Sequence, residues 1–172
     1  MTALALAMPV LAAAAIPSTP DLGQAEGRCR PGERGPSFLV RVDGLKDRKG
    51  NLKLEVYPDN NRDFLEDDNI LINEGKTFRR VVAPVPATGT PVLCIRLPGP
   101  GTYAVSLLHD RDENRRFGWR TDGIGFAGNP RLGWGKPKAA KASAQAGGGP
   151  TPITIVLNYQ HGLGVAPLDR SR

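Results

Sequence analysis

The stretch HDRDENRRFGWRTDG, residues 109–123, sets one of the chain's two histidines beside acids, an Asn and four arginines, a pattern that could do chemistry. His109 with Asp110 or Asp112 is a residue set for general acid–base work. Asp110, Asp112 and Asn114 stand at i, i+2 and i+4, the spacing of the first three ligands of a calcium loop, and Arg116 would offer a backbone carbonyl. A full loop of that kind wants Gly at its sixth position and a bidentate acid at its twelfth. Arg115 and Thr121 stand there, with Asp122 one residue late. Arg111, Arg115, Arg116 and Arg120 raise the local positive potential, which opposes a dication. Asp and Asn also cap turns by accepting backbone N–H bonds two residues on, so such a loop needs no ligand to exist. Two readings therefore stand: a ligand-free charged turn, and a Ca²⁺ site made by Asp110, Asp112, Asn114, Arg116 and Asp122.

The element that leads into this stretch decides against catalysis. GTYAVSLLHD alternates as a half-buried strand, which puts Tyr103, Val105, Leu107 and His109 on one face and Ser106, Leu108 and Asp110 on the other. His109 thus points away from both Asp110 and Ser106. It continues the core face and reads as a structural histidine bonded to a loop carbonyl. The other histidine, His161, falls in the tail. No catalytic residue is assigned and no enzyme is expected. DGIGFAGNP is not a phosphate cradle, because no strand-to-helix switch follows it. Trp119, Phe126 and Trp134 are candidates for an apolar ledge that takes a sugar or peptide, with simple packing at a sheet end as the alternative.

Elsewhere the period is also two. SFLVRVDG places Phe38, Val40 and Val42 on one face, and NLKLEVYP does the same with Leu52, Leu54 and Val56. GLKDRKGN between them has the length and Gly/Asn content of a hairpin connection. The segment from Asp59 to Lys76 reads as a long loop with Phe64, Leu65 and Ile70–Ile72 as anchors and one short helical turn starting near Asp63. TFRRVVAPVPA is a strand broken by Pro84 and Pro86, which suits an edge. PVLCIRLPG turns Leu93, Ile95 and Leu97 inward and Cys94 outward. Residues 136–146 read as a strand, with helix as the alternative, and TPITIVLNY closes the series with Ile153, Ile155 and Leu157 inward. About seven strands, short turns and no long helix predict two antiparallel sheets packed face to face over residues 37–159. An irregular arm (16–36) precedes them and a flexible tail (160–172) follows.

The first 16 residues, MTALALAMPVLAAAAI, are too short to span a bilayer, which needs ~20 apolar residues. Their small-residue end offers A-x-A cleavage geometry, so residues 1–15 read as a secretory signal peptide, with cleavage as late as residue 25, although no Lys or Arg precedes the run. Export makes the cysteines legible: in an oxidising periplasm, or outside the cell, Cys29 and Cys94 can pair. Two cysteines and one histidine in the body of the chain do not make a closed zinc site. The net charge of +6 lies wholly after residue 20. With the basic residues scattered and no aromatic series beside them, nucleic acid is not expected. An envelope component such as an anionic lipid or polymer is the candidate partner, against a merely solubilising surface.

LPGPGTYAVSLLHDRDENRRFG, then GIGFAGNPRLGWGKPKAAKASA, then ITIVLNY, resembles the DUF2141 family of exported bacterial proteins. That family shows a Pro-Gly-x-Tyr-Ala strand, a His-Asp-x-Asp/Asn-x-Asn turn and a Gly-Phe-Ser-Asn-Asn-like segment. The resemblance covers residues 37–159. It implies an all-β, immunoglobulin- or transthyretin-like sandwich in a family without an established function. The residues themselves favour a non-catalytic envelope module with no cofactor, or one stabilised by Ca²⁺. A hydrolase is the remaining alternative. Arg115 stands where the family has Gly, and Ala127-Gly128 replace Ser-Asn, which weighs against carrying a metal site over.

Overall fold

The computed structural model describes residues 15–168. The signal-peptide reading over residues 1–15 therefore falls outside the described residues except at Ala15, as do the last four residues of the tail. Ten strands build two facing sheets. The small sheet has the order β4-β1-β8, with β1 at Ser37–Asp43, β4 at Val92–Arg96 and β8 at Pro150–Val156. The large sheet contains β2 (Asn51–Pro58), β3 (Arg79–Pro84), β5 (Gly101–Asp110), β6 (Gly123–Phe126), β7 (Ser143–Ala146), β9 (Asn158–His161) and β10 (Gly164–Pro167). Its path is β10-β9-β6-β5-β2-β3. β7 pairs the first half of β5, on Gly101–Ala104, and β6 pairs the second half, on Ser106–His109. The edge position expected for the Pro-broken strand is where β3 lies.

The alternating side chains meet between the sheets as expected. Phe38, Val40 and Val42 of β1 and Ile155 of β8 pack against Leu52, Leu54 and Val56 of β2 and Tyr103, Val105 and Leu107 of β5 in one cluster. β5 is buried along both faces from Tyr103 to Asp110, as a central strand must be when its outer face is also covered. The cover comes from the segment after β2. Asn60 caps a turn through the Asp63 N–H (2.9 Å) at residues 61–65. A short helix, α2 (Asp68–Asn73), follows. Tyr57, Phe64, Leu71 and Phe78 join Ala104, Phe126, Ala139 and Ala142 in a second cluster on that outer face. The 59–76 segment is thus the lid of a second core rather than a free loop.

Further differences follow from the strand order. GLKDRKGN is not a hairpin: β1 and β2 belong to different sheets, and residues 44–50 cross between them. Gly50 ends that crossing with φ +70°, where a Cβ would lie 2.0 Å from the Asp110 carbonyl oxygen. Residues 136–146 split into a 3₁₀ turn (Ala139–Lys141) and β7. TPITIVLNY is two strands, because the chain leaves the small sheet after Val156 and enters the large one at Asn158. The chain then turns at Gly162 (φ +59°) and returns as β10, so residues 158–167 form a hairpin where a flexible tail was expected from 160. One pairing is parallel, β1 with β8.

The arm is held in two ways. Cys29 and Cys94 form a disulfide across the outside of β4, the face to which alternation assigned Cys94. A four-residue helix, α1 (Gln24–Gly27), packs on β3, where the Arg80 N–H donates to the Gly23 carbonyl (3.1 Å). Gly27 is required by this close approach, since a Cβ there would lie 2.6 Å from the Arg80 carbonyl oxygen.

Candidate functional site

The acidic turn is held together by its own side chains. Asp110, the last residue of β5, is 1% exposed. Its Oδ1 accepts the Asn114 N–H (3.1 Å) and its Oδ2 the Arg115 N–H (2.8 Å). Asp112 accepts from both the backbone and the side chain of Asn114, and Asn114 Oδ1 accepts the Arg116 N–H (2.7 Å). Asp122, just before β6, accepts from the backbones of Arg111 (2.9 Å) and Gly118 (2.8 Å). These bonds hold Glu113 (φ 60°) and Arg115 (φ 66°) in the left-handed region, which L-residues enter at a cost of about 1 kcal/mol each. Arg115 thus takes the backbone conformation that the loop pattern assigns to Gly.

Of the five candidate ligands, Asp110, Asp112 and Asp122 bring carboxylate oxygens within 4.8 Å of one another. Asn114 spends its carbonyl oxygen on Arg116, and Arg116 turns toward the groove described below. Burial pushes the Asp110 carboxyl above the usual carboxylate range. The Arg115 N–H opposes this, while Asp122 and Asp112 add to it.

His109 faces the other way, into the main core, and is fully buried. Its Nε2 lies 2.8 Å from the Lys49 carbonyl, an acceptor only, so Nε2 carries the proton. Nδ1 is then the acceptor for the Tyr159 hydroxyl at 2.6 Å, and that oxygen in turn accepts the Lys46 N–H (3.1 Å). Burial lowers the His109 pKa, while the Lys49 bond and Asp47 act against it. Asp47 itself is held at about 2 by the Arg111 guanidinium, which also bonds the Thr121 carbonyl (2.6 Å). This network joins the 44–50 crossing, β5 and the acidic turn. It leaves no ring nitrogen of His109 open to solvent.

Trp119, Phe126 and Trp134 converge. They line a groove of about 750 Å³ on the outer face of the large sheet, beside the acidic turn rather than at the sheet's end. Its floor is Ile124, Phe126 and Leu108, with Lys53, Glu55 and Ser106 alongside. Two irregular segments and one hairpin make the walls: Arg115–Trp119 from the turn, Leu132–Pro137, and the β9–β10 hairpin with Leu163 and Val165. Trp134, between two glycines, is 87% exposed and Leu163, at the hairpin tip, 76%. These exposed apolar side chains stand together along one groove. Sequence reasoning missed Phe117, Leu132 and Leu163 as lining residues, because each is an isolated aliphatic or aromatic residue in a turn-rich segment, and it read Leu65 only as an anchor of the 59–76 segment.

A family model described as an uncharacterized protein conserved in bacteria (DUF2141) matches residues 40–154. The chain belongs to the DUF2141 family. No match was found among curated proteins or solved structures. In this DUF2141 chain the matched region holds the acidic turn and the three aromatic residues of the groove. The wall made by Leu163 and Val165 lies beyond it. Among the described residues no helix is long and apolar enough to cross a membrane.

Proposed function

We propose that this DUF2141 protein is a non-catalytic binding module of the bacterial cell envelope, periplasmic or secreted, and that the aromatic groove is its ligand site. The observation that carries this reading is the convergence of Trp119, Phe126 and Trp134 on one cavity within the ~300–1,000 Å³ range of small-molecule sites. The Cys29–Cys94 bond supports an oxidising compartment. Against catalysis stands the orientation of β5: Ser106 lies on the groove floor while His109 is sealed in the opposite face with both ring nitrogens engaged.

The test uses a neutral apolar fluorophore, N-phenyl-1-naphthylamine. Saturable binding by the native protein, lost in a Trp119→Ala/Trp134→Ala variant with an unchanged far-UV circular dichroism spectrum, is the expected result. Absence of binding, or binding indifferent to both substitutions, removes the groove as the site.

A second reading rests on a different observation, the approach of the Asp110, Asp112 and Asp122 carboxylates to within 4.8 Å. Hard oxygen donors so placed suit Ca²⁺. The ion would stabilise the turn and, through it, the groove wall.

A further inference from the structure

The groove's polar groups restrict what can occupy it. Glu55, its only acid, is already engaged: Oε1 accepts from Arg80 Nε (2.8 Å) and pairs with Lys53 (3.3 Å), while Oε2 accepts the Tyr57 hydroxyl (2.8 Å). Lys53 also donates to the Arg115 carbonyl (3.1 Å), and Lys136 donates to the Phe64 carbonyl (2.7 Å). Ser106 is buried in the floor. Two charged lining side chains remain. The guanidinium groups of Arg115 and Arg116 have no hydrogen-bond or ion-pair partner among the described residues, and both stand at the groove mouth where it meets a second, polar cleft lined by Asn114, Lys53 and Arg80. Guanidinium groups donate and never accept. A sugar, whose hydroxyls need acceptors as well as donors, therefore finds no free carboxylate there. An extended peptide fares no better, because the floor is the face of a sheet whose backbone groups are spent on β2, β5 and β6 pairing.

The ligand that fits has an acceptor-only, negatively charged end and a body with no hydrogen-bonding needs. We propose that the groove takes a single-chain amphiphile with an anionic headgroup: the head on Arg115 and Arg116, the hydrocarbon chain along Phe117, Trp119, Phe126 and Trp134. This rests on the groove being the ligand site. It also gives the acidic turn a task. The Asp110 carboxylate fixes the Arg115 N–H and the Asn114 amide fixes the Arg116 N–H, so the turn holds the backbone from which both arginines line the groove. Asp110 and Asn114 are positioning residues in this scheme. Arg115 and Arg116 are the contacts, and charge-assisted bonds from two guanidinium groups favour a carboxylate or phosphate head.

Trp119 and Trp134 are the only tryptophans in the chain, and both line the groove, so intrinsic fluorescence reads occupancy directly. The full protein is titrated below the micelle concentration with dodecanoate, with dodecanol, with dodecyltrimethylammonium and with butyrate. Dodecanoate should bind saturably at one site, at least ~10-fold tighter than dodecanol, with the cation and the short acid weaker still. Arg115→Gln/Arg116→Gln should abolish the preference for dodecanoate over dodecanol while leaving dodecanol binding intact, which also shows that the variant is folded. Arg120→Gln, outside the groove, should keep the preference. Equal binding of dodecanoate and dodecanol overturns the anionic head while the groove reading stands. If naphthylamine binds but neither amphiphile does, the chain assignment is overturned. If neither naphthylamine nor any amphiphile binds, the groove reading fails as well. Co-sedimentation with anionic phospholipid vesicles, without binding of monomeric dodecanoate, replaces the proposal with a bilayer-surface partner.

Discussion

The Tyr159 hydroxyl lies 2.6 Å from Nδ1 of His109, so β9 and β5 are tied together inside the core by a bond between residues 50 positions apart. Gly123, paired with His109 across β5 and β6, makes room for the tyrosine ring: a Cβ there would lie 2.4 Å from a ring carbon. The same hydroxyl accepts the Lys46 N–H, so one oxygen holds the histidine and the 44–50 crossing at once.

Tyr159→Phe removes that oxygen and little else. It leaves a buried imidazole nitrogen and a backbone N–H without partners. The expected loss is about 1–3 kcal/mol of unfolding free energy, measured by urea denaturation with the disulfide intact.

Acid should weaken the domain through His109. Burial lowers its pKa in the folded state, so below ~6.5 the unfolded chain binds a proton that the folded chain refuses. The histidine's contribution is therefore fully present above ~6.5 and is lost as the pH falls below it. The unfolding free energy of the native protein should fall over that window, and the profile of His109→Gln should be flatter. Identical slopes in the two proteins would contradict this account. Asp47 acts lower down: held at about 2 by Arg111, it contributes stability above its ordinary value that is lost as the pH falls toward 2.

The Cys29–Cys94 bond spans 65 positions. In the chain-entropy account a loop of that length is worth about 4 kcal/mol at most, since native strain and residual unfolded structure reduce it. Reduction, or Cys29→Ser/Cys94→Ser, should lower the unfolding free energy by about 2–4 kcal/mol. Unfolded protein that has not been reduced should show no free thiol in a chromogenic thiol assay.

If the acidic turn takes Ca²⁺, the melting temperature rises with added Ca²⁺ and falls in chelator, by about 2.7 kcal/mol of stabilisation at a hundredfold excess over Kd. Asp112→Asn, at an exposed position, should abolish the response without changing the melt in chelator. A melt indifferent to both additions sinks the second reading.

Alternation was enough to place most of the main core. Phe38, Leu54, Val105 and Ile155 each follow the period of two, and the same rule turned His109 inward and Cys94 outward. The second core was harder to read. Phe64, Leu71 and Phe78 come from a segment with no period, and the clue was Tyr57, an apolar residue on the face that alternation gives to solvent. The groove was legible only as three aromatics near a turn. Its walls depend on β9 pairing β6, a single bridge between Ile124 and Asn158 that carries the terminal hairpin to the groove's side. Nothing local in HGLG predicts that partner. The crossing at 44–50 is ambiguous in the sequence for a related reason: Gly44, Gly50 and Asp47 suit a hairpin and a sheet-to-sheet crossing equally well, and only the strand order separates them.

The parallel pairing of β1 with β8 sets when this fold can form. Ser37–Asp43 must wait for Pro150–Val156, more than a hundred residues later, before the middle strand of the small sheet has both neighbours. Contacts so distant in sequence slow folding, because the loop must close before any bond rewards it. A growing chain that has not reached residue 150 therefore carries β1 with one side open, exposed to pairing with other chains.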